Sequence, residues 1–439
     1  MTQQSISSRL GRRDFLKFAG GAVALAAGAS VAPSLFKRVL GPVNLAGAAP
    51  GDPFDLHFAG TDGWIHLPDS PGVPPFHPDD LAPAPFNAYI FGFRNVTGLT
   101  TEQVTAQKMK AQHSAPLFWT RQEVPFYLRV TNLGLQMRPD LIDAHTLHWH
   151  GFRNAIPFFD GEPHGSVSIP IGRDFTYMYN SHEPGTYMYH CHVEDVEHVQ
   201  MGMTGLVFVR PAQDGNTSLY HSGKYAYNDG DGSTGFDREF AMFLSEVWAE
   251  AHWADSHIQL PEWSDYHPDF SLLNGRVYPD TLAPNASIDP FNPVMDANGD
   301  MIAIPGYEHL KYQPYSSLVE CNAGERVLLR FAQLGFKQAA MTISGMKLHV
   351  VGKDATLLRS RDGTDTSFLT DTIALGAGES VDAIFTAPAY QGPGPYDTYL
   401  LYNRSYHRSS NLNGGYGGQA TEVRVYPSGT IAPQILPNS

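Results

Sequence analysis

Residues 185–192 read Gly-Thr-Tyr-Met-Tyr-His-Cys-His, and this stretch indicates both a strand and a metal site. Its aromatic and β-branched residues are typical of a short strand, and Glu183-Pro184-Gly185 is a turn signal at its start. Side chains alternate between the two faces of a strand, so His190 and His192 share one face and Cys191 points to the other. One strand can therefore serve two metal sites, with the thiolate facing one and the imidazoles facing the other.

A second histidine cluster, His-Thr-Leu-His-Trp-His-Gly at residues 145–151, precedes this strand in the chain. Two histidines, a cysteine and a weak axial methionine form the ligand set of a blue-copper centre. Cys191, His198 and Met203 supply three of these groups, and His145 is the candidate for the fourth. A lone histidine or methionine is more often structural, but their joint clustering favours metal binding. The predicted ligands are His145, His148, His150, His190, Cys191, His192, His198 and Met203.

The rest of the chain predicts an all-β protein. Short β-rich segments such as 125–130, 205–209 and 326–330 are separated by Gly- and Pro-containing turns, as in β-sandwiches. The polar, Gly-rich stretch 214–236 resembles a linker. We therefore predict one domain over 49–213, a second over 237–428 and a C-terminal tail over 429–439. One helix is predicted over 101–112, with Thr101 as its N-cap.

Composition excludes several classes of protein. The chain has 439 residues, 42% of them hydrophobic, which is enough for packed cores and excludes wholesale disorder. A net charge of −15 argues against nucleic-acid binding. Two cysteines, Cys191 and Cys321, exclude a disulfide framework. No apolar run is long enough to predict a membrane span.

The first 48 residues read as an export signal. Arg12-Arg13 is followed by Phe15-Leu16-Lys17, then by a weakly apolar Ala/Gly stretch and the small-x-small pattern Ala46-Gly47-Ala48. This order resembles a bacterial twin-arginine (Tat) signal peptide and predicts a periplasmic or extracellular protein. Cleavage would remove six basic residues and one acid, which lowers the net charge by five to −20.

Residues 148–151 and 185–203 together resemble the signature of the multicopper oxidases, the family of the laccases. Thr131-Asn132-Leu133 and Asp160-Gly161-Glu162-Pro163 also resemble that family's first domain. The resemblance covers most of residues 115–427 and implies two tandem cupredoxin-like (Greek-key) β-sandwiches. The pattern is closest to two-domain members that carry type 1 copper in the first domain.

The resemblance implies a role for each residue of the two clusters. His145, Cys191 and His198 would bind type 1 copper, with Met203 as the axial ligand. His148 would bind type 2 copper, and the type 3 ligands would be His150, His190 and His192. Asp160 resembles the family's acid beside the oxygen site, so it and Cys191, which passes electrons on, are the catalytic candidates.

The second domain resembles a laccase-like cupredoxin without copper ligands. Met341-Thr-Ile-Ser-Gly345 stands where a copper-bearing domain has His-x-His, and Leu401-Tyr-Asn-Arg404 stands where it has His-Cys-His. His349 and His407 are isolated and expected to be structural, and Cys321 is expected to be a free, partly buried thiol. One chain thus offers half of the histidines that a trinuclear copper cluster takes in the family. A homo-oligomer, such as a two-fold dimer of first domains, would complete the set.

Three functions follow from this pattern. The first is an oxidase that takes electrons from a small-molecule or metal-ion donor at type 1 copper and passes them to dioxygen at a shared type 2/type 3 site. The second is a copper nitrite reductase, although Thr342 stands where that enzyme needs a histidine from a neighbouring chain. The third is a non-enzymatic blue-copper electron carrier. Glu194, Asp195 and Glu197 would either attract a cationic donor or form a solvated acidic loop.

Overall fold

The computed structural model describes residues 54–69, 72–153, 155–411 and 414–439. The predicted signal peptide lies outside this part of the chain. The described residues form mostly β-strands, and this confirms that the protein is mainly β, as predicted. Within them, no helix is both long and apolar enough to cross a membrane.

The first half of the described chain forms two four-stranded sheets, with strand orders β2-β1-β4-β6 and β3-β8-β7-β5. Apolar side chains from both sheets, among them Phe58 and Leu128 from one and Tyr189 and Val207 from the other, meet in one buried cluster. The two sheets therefore pack face to face as a sandwich. The elements of this half are β1 (Leu56–Ile65), β2 (Ala88–Asn95), α1 (Thr101–Thr105), β3 (Phe118–Arg121), β4 (Pro125–Asn132), β5 (His148–His150), β6 (Asp174–Asn180), β7 (Gly185–His190), α2 (Asp195–Met201) and β8 (Thr204–Arg210).

The second half forms a larger pair of sheets. One has the order β10-β9-β12-β18-β14-β15 with β16 paired to β14, and the other has the order β11-β22-β19-β13-β17. Both contribute to a second buried apolar cluster. The elements are β9 (Arg238–Val247), α3 (Ala249–Ser256), β10 (Phe270–Leu273), β11 (Val319–Asn322), β12 (Arg326–Gln333), β13 (Ala339–Ile343), β14 (Leu348–Lys353), β15 (Thr356–Leu357), β16 (Phe368–Thr370), β17 (Ile373–Leu375), β18 (Ser380–Thr386), β19 (Asp397–Asn403), β20 (Ser410–Asn411), β21 (Gly414–Tyr416) and β22 (Ala420–Tyr426).

The two sandwiches share apolar contacts. Leu206 and Phe208 of β8 belong to the same buried cluster as Phe243 of β9 and Ala332 of β12. The stretch 214–236 is also packed, and its Tyr227 hydroxyl donates to the Asp382 carboxylate at 2.6 Å. Contacts alone group residues 51–439 as one unit, so the predicted domain boundaries stay a prediction.

The predicted helix over 101–112 is wrong in its extent. Helix α1 ends at Thr105, and its N-cap is Thr100 rather than Thr101. The Thr100 side chain accepts from the Gln103 N–H, and the Gln103 side chain accepts from the Thr100 N–H. This capping box fixes the start one residue earlier than predicted. Met109 has a positive φ of 63°, so the helix does not continue to residue 112.

Candidate metal centres

The first centre forms where β7 ends. Cys191 follows the last strand residue and is completely buried. Its Sγ atom lies 3.2 Å from Nδ1 of His198 and 3.9 Å from Nδ1 of His145. The three donor atoms lie within 4.8 Å of one another, and all three residues are buried. The structure thus brings together the three predicted ligands that come from separate parts of the first half.

Met203 lies at the same centre. The Cys191 N–H donates to the Met203 carbonyl at 3.1 Å, so the two backbones are adjacent. A Cβ atom on Gly60 would lie 3.3 Å from the Met203 methyl and 2.6 Å from Cδ2 of His145. The methionine side chain and the imidazole therefore meet over Gly60 of β1.

Helix α2 brings His198 into contact with Cys191. Glu194 has a left-handed conformation before the helix, and Gly202, with φ of 117°, ends it and leads directly into Met203. His198 lies in the last turn of α2 and is completely buried. The seven-residue helix Asp195–Met201 thus carries His198 and places its imidazole against the thiol.

The prediction of a solvated acidic loop over residues 194–197 is therefore wrong in part. Asp195 and Glu197 belong to α2, and Glu197 is buried, with Oε1 at 3.8 Å from Nη1 of Arg138. Glu194 and Asp195 remain exposed. Any attraction of a cationic donor would depend on these two carboxylates, since Glu197 faces the interior.

The electrostatics of the first centre favour a thiolate. Burial by itself would raise the pKa of the Cys191 thiol, but the imidazoles of His198 and His145 more than offset that effect and hold its pKa well below the usual range. Burial would likewise lower the pKa of His198, but the thiolate and the Asp143 carboxylate raise it to about 10. The Thr146 N–H also donates to the sulfur at 3.4 Å. A cation therefore completes this site, and a bound metal would take the place of the proton.

These donors fit type 1 copper. Two imidazole nitrogens and a thiol converge, and the Met203 side chain lies beside the His145 ring, so the residue types match the blue-copper set. The other ring nitrogen of His198 donates to the Asp143 carboxylate at 3.3 Å, which fixes the ring and its tautomer. The Asn132 side chain in turn donates to the Asp143 carbonyl at 2.9 Å.

The second centre lies on the edge strand of the β3-β8-β7-β5 sheet. In the antiparallel β5–β7 pair, His148 stands directly opposite His190. The His148 ring centroid lies 5.4 Å from that of His190, 5.1 Å from that of His192 and 6.3 Å from that of His150. The His190 and His192 centroids are 5.3 Å apart. Four predicted ligands thus form one cluster, separated from the first centre by the Cys191 backbone.

Backbone carbonyls orient two of these rings. Nδ1 of His148 donates to the Asp160 carbonyl at 2.7 Å, and Nδ1 of His190 donates to the Cys191 carbonyl at 2.8 Å. Each Nε2 is then left as the free donor to a metal. Burial lowers the pKa of His148 and lowers that of His190 to about 3, so both rings are neutral, as metal ligands must be.

The cluster is open on one side. His150 is exposed, and the side chains of His148 and His192 are 17% and 29% exposed. A Cβ on Gly378, in the turn before β18, would lie 2.7 Å from the His150 ring. The second half therefore contributes a close backbone contact here, and within the described residues none of its histidines joins the cluster.

The remaining predicted residues take separate positions. The Asp160 carboxylate, which is 32% exposed, lies 3.6 Å from Nδ1 of His148. His349 bonds to Ser367 at 2.7 Å, away from both centres. Cys321 is a free thiol, as predicted, but it is completely rather than partly buried. Sequence reasoning missed Gly60, Asp143 and Gly378, of which only Asp143, two residues before His145, has a signal in the motif itself.

A comparison with protein families matches the part of the chain that holds both centres. Residues 127–214, which contain all eight predicted ligands, match the family model described as multicopper oxidase. This part of the chain is therefore similar to a domain of the multicopper oxidases.

Individual multicopper oxidases and laccases share less than a quarter of their aligned residues with this chain. Laccase-12 of Arabidopsis thaliana is 24% identical over 270 residues, and the match covers 61% of this chain but only 38% of that protein. The blue copper oxidase of Nitrosomonas europaea has a TM-score of 0.54 at 19% identity, over 84% of this chain and 85% of its own. The multicopper oxidase mgLAC has a TM-score of 0.54 at 18% identity, and the match covers 86% of this chain and 87% of mgLAC. At these identities the structural likeness shows the fold alone.

Proposed function

We propose that this protein is a multicopper oxidase, a laccase-like enzyme that oxidises a small-molecule or metal-ion donor and reduces dioxygen. Bound copper would supply the redox chemistry, with electron uptake at the first centre and oxygen reduction at the second. The protein holds the ligands in place, connects the two centres and delivers protons.

The observation that carries this proposal is the position of Cys191 between the two centres. Its sulfur belongs to the first, while His190 and His192, its direct neighbours in the chain, belong to the second. Only a few covalent bonds then separate the Cys191 sulfur, at the centre that would take up electrons, from the imidazoles at the centre that would reduce dioxygen. An electron carrier needs no such second centre, and the four-imidazole cluster is therefore the feature that favours an oxidase.

Asp160 is the proposed proton donor. Reduction of dioxygen to water consumes protons together with electrons, and a partly exposed carboxylate at 3.6 Å from His148 can exchange protons with solvent. Its backbone carbonyl also orients His148, so the same residue would serve both position and protonation.

We further propose that a second copy of the chain completes the oxygen site. Four imidazoles lie together, the cluster is partly exposed, and the described second half adds none. A two-fold contact between first halves would double the number of imidazoles through the same surface on both chains. The twin-arginine pattern supports export of this assembly to the periplasm or the cell exterior.

Copper counting tests the oligomer. The dimer is expected to hold about two type 1 coppers and about three further coppers at the shared site. Sedimentation of the copper-loaded protein gives the mass, and visible and EPR spectra separate the copper types. A monomer with type 1 copper alone would overturn the shared site.

A pair of variants separates the enzyme from the carrier. His150→Gln is expected to keep the blue colour but to lose cluster copper and oxygen uptake. The matched control, His182→Gln, removes an exposed histidine that pairs with Glu123 at 2.7 Å and is expected to change neither. Blue protein with no turnover in the unmodified chain would indicate a carrier, and nitrite turnover without oxygen uptake would indicate a nitrite reductase.

A further inference from the structure

A third cluster of donor groups lies apart from both copper centres. His66 follows the last residue of β1, Asp280 begins the 3-10 turn Asp280–Leu282, and His309 lies in the 3-10 turn Glu308–Leu310. Their donor atoms lie within 4.8 Å of one another. The two imidazole centroids are 4.8 Å apart, with the rings edge to face. Segments far apart in the sequence thus bring two imidazoles and one carboxylate to a common point.

One ring nitrogen of His66 has no hydrogen-bond partner within the described structure. Nδ1 of His66 is buried and makes no hydrogen bond. Burial, followed by the nearby His309, lowers the pKa of His66, so its ring is neutral and offers a lone pair. A buried nitrogen without a partner is costly unless a further group satisfies it.

The backbone around the cluster is held rigidly. The Gln313 side chain accepts from the His66 N–H and donates to the His66 carbonyl, both at 2.9 Å. Arg276 is completely buried and donates to the carbonyls of Gln313 at 2.7 Å and Asp280 at 3.3 Å. The backbones of His66 and Asp280 are therefore both held by hydrogen bonds to the segment around Gln313 and Arg276. This reduces the conformational entropy lost when a metal site is ordered.

The geometry fits a transition metal. Nε2 of His309 lies 3.4 Å from Oδ1 of Asp280. Two ligands at about 2.1 Å from a tetrahedral ion are themselves about 3.4 Å apart. Two imidazoles and a carboxylate leave a fourth position of a tetrahedral ion open for water.

We propose that His66, Asp280 and His309 bind a divalent cation of the Zn²⁺ or Cu²⁺ class, separate from the two copper centres. Imidazole and carboxylate together suit these ions better than Mg²⁺ or Ca²⁺, which prefer oxygen ligands alone. The ion would link the end of β1 in the first sandwich to two turns that precede β11 in the second half. This proposal does not depend on the oxidase activity.

Other His–Asp pairs on the protein lack this set. His221 Nε2 lies 2.8 Å from Asp237 Oδ1, but the histidine side chain is 73% exposed and the pair is not part of any three-residue donor group found in the described chain. Asp79, Asp80 and His257 also converge, but the Asp79 carboxylate already accepts from Ser256, and Asp80 is exposed. His221 therefore offers a matched control, with the ion pair but without the second imidazole.

Zinc titration of the copper-loaded full chain tests the site. Calorimetry and native mass spectrometry are expected to show one more tightly bound Zn²⁺ per chain in the unmodified protein than in His309→Gln or Asp280→Asn. Each variant should bind at that site about 100-fold more weakly or worse, since a direct ligand is lost. His221→Gln is expected to keep the unmodified count, and retention of the blue spectrum checks that each variant is folded.

The result that would overturn the site is an equal zinc count in the unmodified chain, His309→Gln and Asp280→Asn. A parallel loss in His221→Gln would also overturn it, since it would assign the ion to scattered surface histidines. A repeat with Cu²⁺ distinguishes the ion: a non-blue EPR signal that both ligand variants lose would assign copper to the same donors. A melting temperature that rises with Zn²⁺ in the unmodified chain but not in Asp280→Asn supports the site independently of activity.

Discussion

Gly60 of β1 is the position where one methyl group should disturb the first copper centre most directly. A Cβ there would lie 2.6 Å from Cδ2 of His145 and 3.3 Å from the Met203 methyl. The Gly60 backbone is outside the left-handed region, so alanine fits its conformation and the effect of Gly60→Ala is purely steric. The added carbon meets two of the predicted ligands at once.

The size of the disturbance follows from the contact distances. Ordinary carbon contacts begin near about 3.5 Å, so the His145 ring must move by roughly 1 Å. Its backbone cannot follow, because the His145 N–H and carbonyl both bond to Ile169, at 3.0 and 2.9 Å. Ligands must stay within about 0.5 Å of their working geometry, and overpacking of this kind costs about 1–3 kcal/mol. If copper binding bears that cost, the affinity falls by about 5- to 150-fold.

Competitive copper titration with a chelator, followed by the blue absorption, measures this change. Gly60→Ala should lose copper at lower chelator concentrations and shift its visible spectrum, while its far-ultraviolet circular dichroism stays that of the unmodified chain. Gly165→Ala is the control, since its nearest neighbour across space is the Pro157 Cβ at an ordinary 3.8 Å. Wild-type copper affinity and spectrum in Gly60→Ala would refute the placement of His145 and Met203 over this glycine.

Three further predictions concern the first copper centre and the buried histidines His113 and His252. Cys191→Ser should abolish the blue colour and all turnover while circular dichroism shows an intact fold, and a variant that stays blue would contradict the assignment of the thiolate. Asp143→Asn weakens the hydrogen bond that orients His198, so the copper affinity measured by chelator competition should fall by about 10- to 100-fold, and an unchanged affinity would show that the carboxylate does not position the ligand. Burial lowers the pKa values of His113 and His252 to about 4 each, so the unfolded chain takes up protons first as the pH falls. The contribution of these two histidines to the free energy of unfolding should then be constant above about pH 6.5 and fall between about pH 6.5 and 4, by up to about 1.4 kcal/mol per pH unit for each histidine. Urea unfolding at several pH values across this range measures the free energy of unfolding. Its change per pH unit should be smaller in His252→Gln than in the unmodified chain, and an equal change would count against the effect.

The ligand types at the copper centres were predictable from the sequence because strand periodicity is a local property. Alternation around Cys191 assigns the thiol and the two imidazoles to different sides, and no distant residue is needed for that conclusion. The all-β class follows in the same way from short β-rich segments between turns. The missing histidines of the second half are also visible in the sequence, since Thr342 and Asn403 occupy strands that carry no imidazole.

Features that depend on small local energies were predicted less well. The helix start at Thr100 is set by a capping box between two side chains, and either Thr100 or Thr101 is an acceptable N-cap by residue type. The segment after Cys191 reads as a loop because it is short, but a left-handed Glu194 starts a helix there and turns Glu197 inward to Arg138. Tertiary contacts decide such cases, and a single sequence does not display them.

The sequence by itself predicted the candidate ligands of the two metal centres, and for His148, His150, His190, Cys191 and His192 the reason is that their spacing follows the period of a strand. Tertiary structure alone decided what surrounds them: Gly60 under His145, Asp143 behind His198 and Gly378 beside His150. It also decided the third cluster, where His66 and His309 meet although 243 positions separate them in the chain. Contacts of that kind depend on how sheets and turns pack across the whole protein, and no local pattern in the sequence records that packing.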